Sequence, residues 1–140
     1  MANAIYPKAK QTLLDPGNST SGALDLNTNT IKIRMVGATT VYNAAHQYLS
    51  DLAGSAIGTD QVLTSPTVVS GVFDAADPVW TAVASGSTVT ALVIYRNGTL
   101  ASNSDLICWF DTDPSGNLIS LMTNGGDVDW RFDANGIFQL

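Results

Sequence analysis

From Asp127 to Asp133 the chain alternates strictly. Val128, Trp130 and Phe132 fall on one face, and Asp127, Asp129, Arg131 and Asp133 on the other. A period of two with one charged face predicts a half-buried β-strand. Asn135-Gly136 then supplies a turn that tolerates positive φ, and Ile137, Phe138 and Leu140 carry apolar side chains to the last residue. The C-terminus is therefore expected to be tied into a sheet. The same reading predicts strands at Leu24 to Val36, Thr67 to Phe73, Val79 to Ala84, Val89 to Tyr95, Asp105 to Phe110 and Leu118 to Met122. In the first of these Ile31, Ile33 and Met35 oppose Lys32 and Arg34. Turn signals such as Asp77-Pro78, Asn97-Gly98, Pro114-Ser115-Gly116 and Asn124-Gly125-Gly126 separate them. Two segments have helical character. Pro7 to Leu14 starts on a proline suited to a first turn and stops at Asp15-Pro16-Gly17. Asn43 to Leu52 offers Asn43 as a cap and a stripe of Ala44, Ala45, Tyr48, Leu49 and Leu52. Asn18 to Gly22 reads as a polar connector, and Gly54 to Ser65, with no periodicity, as the most mobile loop. The fold expected is all-β: one domain over 1–140, an antiparallel β-sandwich or barrel-like unit with one or two short helices and an N-terminal arm over 1–22. Its core is expected to contain Ile31, Ile33, Leu92, Ile94, Ile107, Trp109, Val128, Trp130 and Phe132.

Composition sharpens this. The 140 residues suffice for a two-layer core without covalent staples. All 12 acidic residues are Asp, and there is no Glu. Asp favours turns and caps where Glu favours helix interiors, so the acids themselves point to strands and turns. A net charge of −6 argues against a nucleic-acid binder, which needs a basic stripe, and against docking on anionic membranes. No apolar run approaches the ~18 residues of a membrane span, and no signal peptide is apparent, so synthesis and folding in a cytoplasm are expected.

Candidate chemistry is sparse. Cys108, the only cysteine, sits among Leu106, Ile107, Trp109 and Phe110, which marks a packed core thiol and not a nucleophile. His46 is the only histidine and reads as a structural residue, since a general base needs partners the sequence does not supply. Asp111-Thr112-Asp113-Pro114-Ser115-Gly116-Asn117 resembles the start of a calcium loop, but Met122 stands where the distal bidentate acid belongs, so a solvated turn is the simpler reading. Asp74 with Asp77, and Asp127 with Asp129, are spaced as carboxylate pairs; solvated charge on a strand face accounts for them better than glycosidase chemistry. Exposed tryptophans would favour sugar binding. Of Trp80, Trp109 and Trp130, the one expected on the surface is Trp80, beside Pro78. Neither catalytic residues, nor a metal site, nor a cofactor is expected.

Longer stretches carry a resemblance. The opening Met1-Ala2-Asn3-Ala4-Ile5-Tyr6-Pro7-Lys8, the passage Leu24-Asp25-Leu26 to Thr30-Ile31-Lys32-Ile33, and Ala44-Ala45-His46-Gln47-Tyr48-Leu49-Ser50-Asp51 form one set. Gly71-Val72-Phe73-Asp74-Ala75-Ala76-Asp77, Ala91-Leu92-Val93-Ile94-Tyr95 and the ending from Asn124 to Leu140 form another. Together they resemble a family of small proteins of tailed bacteriophages and prophages, mostly without assigned roles or described as virion structural proteins. The chain departs from that family at Asn18 to Gly22 and Leu100 to Ser104. The resemblance implies a non-enzymatic virion protein, made in the host bacterial cytoplasm and located in the virion. The role expected is a head-decoration (cement) protein, a homotrimer contacting the major capsid protein or other virion proteins. The alternatives are a tail, neck or fibre component, or a carbohydrate-binding module. Contacts are expected through the arm (Ile5, Tyr6, Leu13, Leu14) and the last strand (Ile137, Phe138, Leu140), because terminal segments dock at little cost to the core.

Overall fold

The computed structural model describes residues 3–18 and 22–140. Twelve strands and one α-helix follow one another: β1 Ala4–Ile5, α1 Pro7–Leu14, β2 Ile31–Val36, β3 Ala56–Val62, β4 Thr67–Val69, β5 Val72–Asp74, β6 Val79–Trp80, β7 Thr88–Val89, β8 Ala91–Arg96, β9 Leu106–Phe110, β10 Leu121–Met122, β11 Val128–Asp129 and β12 Phe138–Gln139. Five make the main sheet, in the order β1-β9-β8-β2-β3, antiparallel throughout. Three small sheets, β10-β7, β11-β6 and β12-β5-β4, hold the rest. The architecture is all-β and sandwich-like, with one short helix.

Register explains how the core forms. Residues paired across an antiparallel ladder share a face. Met35 opposes Leu92, which opposes Phe110, and Ile33 opposes Ile94, which opposes Cys108. Every residue of β8 and β9 is buried, so both faces of the sheet centre are covered. On the first face Met35 and Leu92 share a cavity wall with Trp80 and Val89 of the small sheets and with Trp130, just past β11. On the other, Trp109 meets Tyr42 at 6.1 Å between ring centroids, and Tyr42 meets Tyr6 at 5.1 Å. Burial pushes the Cys108 thiol well above its usual range, which leaves it an inert core group. One strand changes layer: Val89 pairs with Leu121 in a small sheet, Thr90 donates its N–H to Val36 O at 2.9 Å, and Ala91 enters the main sheet.

Helix α1 falls where proline and the Asp15-Pro16-Gly17 stop put it. The segment at its head is part of the sheet, because β1 pairs with β9 and Tyr6 N–H donates to Ile107 O at 2.9 Å. Of the connector expected at Asn18 to Gly22, residues 19–21 lie outside the described residues.

Five expectations are corrected. Asn43 to Leu52 is not a helix. Asn43 Oδ1 accepts the Ala45 N–H, Tyr48 bridges to Asp105, and only Leu49–Asp51 winds, as one 3₁₀ turn. The backbone there pairs with the chain before β9: Leu49 N–H donates to Ser104 O and Leu106 N–H to Gln47 O. Tertiary pairing thus displaces local helix propensity. Gly54 to Ser65 is not a loop but contains β3. Ile33 and Met35, two apart, face Gln61 and Ile57, four apart, so a bulge breaks the alternation that would betray the strand. Gly58, at φ +71°, makes that bend. Leu24 to Val36 is a strand only from Ile31, since Asp25 Oδ1 accepts the N–H groups of Asn27 and Thr28 and closes a turn. Trp80 is not a surface aromatic. At 1% exposure it is a central core residue, while Val79 faces out. Trp130, Val128 and Phe132, expected in the core, are half-buried and pack against its rim.

Asp51 ties the 47–52 segment down. Its Oδ2 accepts the N–H groups of Gln47 (2.8 Å) and Tyr48 (2.9 Å). These bonds, that of Tyr48 foremost, hold its carboxyl below the ordinary 3.8. A depressed carboxyl stabilises the fold above the unfolded-state value, and that contribution is lost as pH falls through the lower folded-state value. Acid titration followed by amide NMR should therefore show the Gln47 and Tyr48 signals moving together below pH 3.8. The Asp51→Asn variant should lack this transition. Movement in the wild type centred at or above 3.8 would contradict the assignment.

Candidate interaction surface

The expected contact residues divide on the structure. Ile5 packs half-buried on β9, and Tyr6 is fully enclosed by its own chain. Burial first, then the neighbouring Tyr42 and Cys108, push the Tyr6 phenol far above its ordinary range. Ile137 is buried too, its N–H donating to Phe73 O at 2.7 Å. These three serve the fold of their own chain. Leu13, Leu14, Phe138 and Leu140 do not turn fully inward. Leu14 is 81% exposed and Leu140 54%.

The end of α1 and the last strand meet. Leu13, Leu24, Leu26, Phe73, Phe138 and Leu140 line one groove of about 420 Å³, with Val68 at its rim. Phe138 meets Phe73, its ladder partner, in a tilted ring contact at 5.5 Å between centroids, and Leu140 N–H donates to Gly71 O at 3.0 Å. The opposite wall is fixed by charge. Arg96 Nη1 donates to Ala23 O at 2.9 Å and to Gly22 O at 3.3 Å, while Arg96 Nη2 is ion-paired with Asp105 Oδ2 in a buried setting. The Asp25 turn then presents Leu24 and Leu26, both buried, to the groove floor. Outside lie Val68 and Val69 of β4, an edge strand with all three residues exposed. An apolar groove rimmed by exposed aliphatic residues is the physical form of an interaction surface. Sequence reading found its two terminal contributors and missed Leu24, Leu26 and Phe73. The Leu24-Asp25-Leu26 alternation was the available signal.

Elsewhere several polar side chains hold the backbone in place. Asp74 accepts the N–H of Ala75, while Asp77 accepts that of Phe132 and Asp127 that of Ala82, so the last two carboxylates tie together segments distant in sequence. Asp111 is buried and accepts from Trp109 Nε1 at 3.3 Å, while Asp113 Oδ1 accepts the N–H groups of Ser115 and Asn117. Among the described residues no three metal-ligating acidic, histidine or cysteine side chains gather, and no helix is long and apolar enough to cross a membrane. His46 lies half-buried in a turn, its N–H donating to Asn43 O at 3.0 Å. Asp60 is held by Arg34 through both carboxylate oxygens and receives the Tyr95 hydroxyl, which joins β3 to β2 and β8. No family model, no curated protein and no solved structure matches the chain.

Proposed function

We propose that this is a non-enzymatic structural protein of a tailed-phage virion, a head-decoration protein that docks through the groove between α1 and β12. The observation that supports the reading is the convergence of both ends of the chain on one apolar groove with an exposed aliphatic rim. A particle component needs such a surface and needs no reaction centre. The net charge of −6 keeps free copies apart until a lattice offers them a site. The partner surface is the capsid shell, and the protein sits there as a trimer.

The test uses Leu140→Asp and Val68→Asp, which place a charge on the groove without entering the core. Both variants should melt within a few degrees of wild type and should be missing from purified particles. Electron microscopy should place the wild-type protein on the head, at three-fold contacts. Density on the tail would overturn the head assignment. Full occupancy by both variants would show that the groove is not the docking surface, and absence of the protein from particles would overturn the reading altogether.

A further inference from the structure

A second concave site shares no lining residue with that groove. Phe110, Trp130, Phe132 and Ile137 form the apolar part of a cavity of about 250 Å³, and Asp113 and Asp133 stand on it from two different turns. Trp130 and Asp113 also border the adjoining cavity of about 280 Å³ against Met35 and Leu92, so the indole stands between two hollows. Trp130 and Phe132 are half-buried, unlike the enclosed Trp80 and Trp109, and so keep ring surface available.

The polar side is built from two closed turns. Asp113 Oδ1 accepts the N–H groups of Ser115 and Asn117, both at 2.9 Å. Asp133 Oδ1 accepts the N–H of Asn135 at 2.8 Å. In each turn one carboxylate oxygen is spent on the backbone. The other is held in place: Asp113 Oδ2 has only a 3.4 Å contact from Asn117, and Asp133 Oδ2 has no partner among the described residues. Asn3 fixes a third edge, its Oδ1 accepting the N–H groups of Asp111 and Thr112 and its Nδ2 donating to Thr112 O. Gly136, at φ +110°, cannot be replaced cheaply, because a Cβ there would meet Val72 Cγ1 at 2.4 Å. The wall is therefore rigid before any ligand arrives, which lowers the cost of binding.

Half-exposed aromatic rings beside fixed carboxylate acceptors suit a ligand with an apolar C–H face and several hydroxyl donors. The volume lies below the ~300–1,000 Å³ of pockets for larger ligands, so it takes one ring and not an extended chain. Two carboxylates in a chain of net charge −6 exclude an anionic ring. We infer that this cavity is a binding site for a neutral monosaccharide unit, such as the exposed terminal residue of a glycan. The inference does not depend on the docking groove and holds whether or not the protein belongs to a virion.

The test titrates the intact protein with D-glucose, D-galactose, D-mannose and N-acetylglucosamine, each to 50 mM, following tryptophan fluorescence and amide NMR. At least one sugar should give saturable shifts confined to residues 110–117 and 130–137, with Kd on the order of 1 mM, the scale that ordinary ligand efficiency gives a single ring. Asp133→Asn keeps an oxygen for the Asn135 N–H but loses the free carboxylate, and should weaken binding about 10-fold. Phe132→Leu keeps an apolar residue but removes the ring, and should weaken binding by a similar factor. Both changes sit at the cavity edge, and unchanged melting temperatures would confirm intact folds. Shifts with calcium chloride and with none of the sugars would overturn the inference in favour of a cation site. Absence of any shift, shifts elsewhere, or full binding by both variants would overturn it outright.

Discussion

Trp80→Ala is expected to lower the unfolding free energy by about 3–5 kcal/mol, the range for emptying a large aromatic site in a packed core. At 1% exposure the indole is the largest of the fully enclosed side chains, set between the main sheet and the β6-β11 pair. Its Cδ1 stands 3.6 Å from where a Cβ on Gly58 would be, and Met35 Cε borders the same position at 3.5 Å. The loss would be one of apolar packing, because Nε1 has no hydrogen-bond partner to forfeit among the described residues. Trp130→Ala should cost distinctly less, since that ring is only half-buried. Urea melts of the two variants give the comparison. Equal losses, or a Trp80→Ala loss below about 1 kcal/mol, would mean that the layers do not close on Trp80.

Arg96→Ala is expected to cost a similar amount, about 3–5 kcal/mol, for a different reason. Removing the guanidinium leaves Asp105 charged and buried, with side-chain exposures of 9% for Arg96 and 4% for Asp105. It also releases the carbonyls of Gly22 and Ala23, which the same guanidinium holds. Amide exchange should therefore speed up at Leu24 and Leu26, and the groove floor should loosen along with global stability. The double variant Arg96→Met, Asp105→Leu should recover most of the loss, because an apolar pair of similar size removes both desolvated charges. If Arg96→Ala melts like wild type, the buried pair adds nothing to the fold.

The alternation of apolar and polar residues told most where strands lie against a single layer. The outer periodicity of β2, the apolar runs of β8 and β9, and the proline-led helix α1 were legible, and with them Ile31, Ile33, Leu92, Ile94, Ile107 and Trp109 as core. Three kinds of structure were hidden. β3 escaped because its bulge shifts the alternation midway and because its inward residue is Asp60, whose burial makes sense only beside Arg34 and Tyr95. The 43–52 stretch has a helical stripe, yet its amides and carbonyls find partners near β9, more than fifty residues on. Trp80 was misplaced because a two-residue strand is too short for a period to separate in from out, and Trp130 because the strand ends before it, at Asp129. The groove was half legible, as two apolar chain ends. That they meet, and that Leu24, Leu26 and Phe73 close the space between them, is a property of the topology.

The bend at Gly58 bears on how copies of this chain can associate. A sheet terminates in exposed backbone donors and acceptors that invite another strand, and straight edges join into fibres. Here one border of the main sheet is only two residues long, at Ala4–Ile5, and the other, Ala56–Val62, is kinked in the middle and out of step with its inner neighbour. Neither gives a straight template for main-chain zippering. Open-ended stacking of copies through the borders of the main sheet is thus disfavoured by the backbone itself.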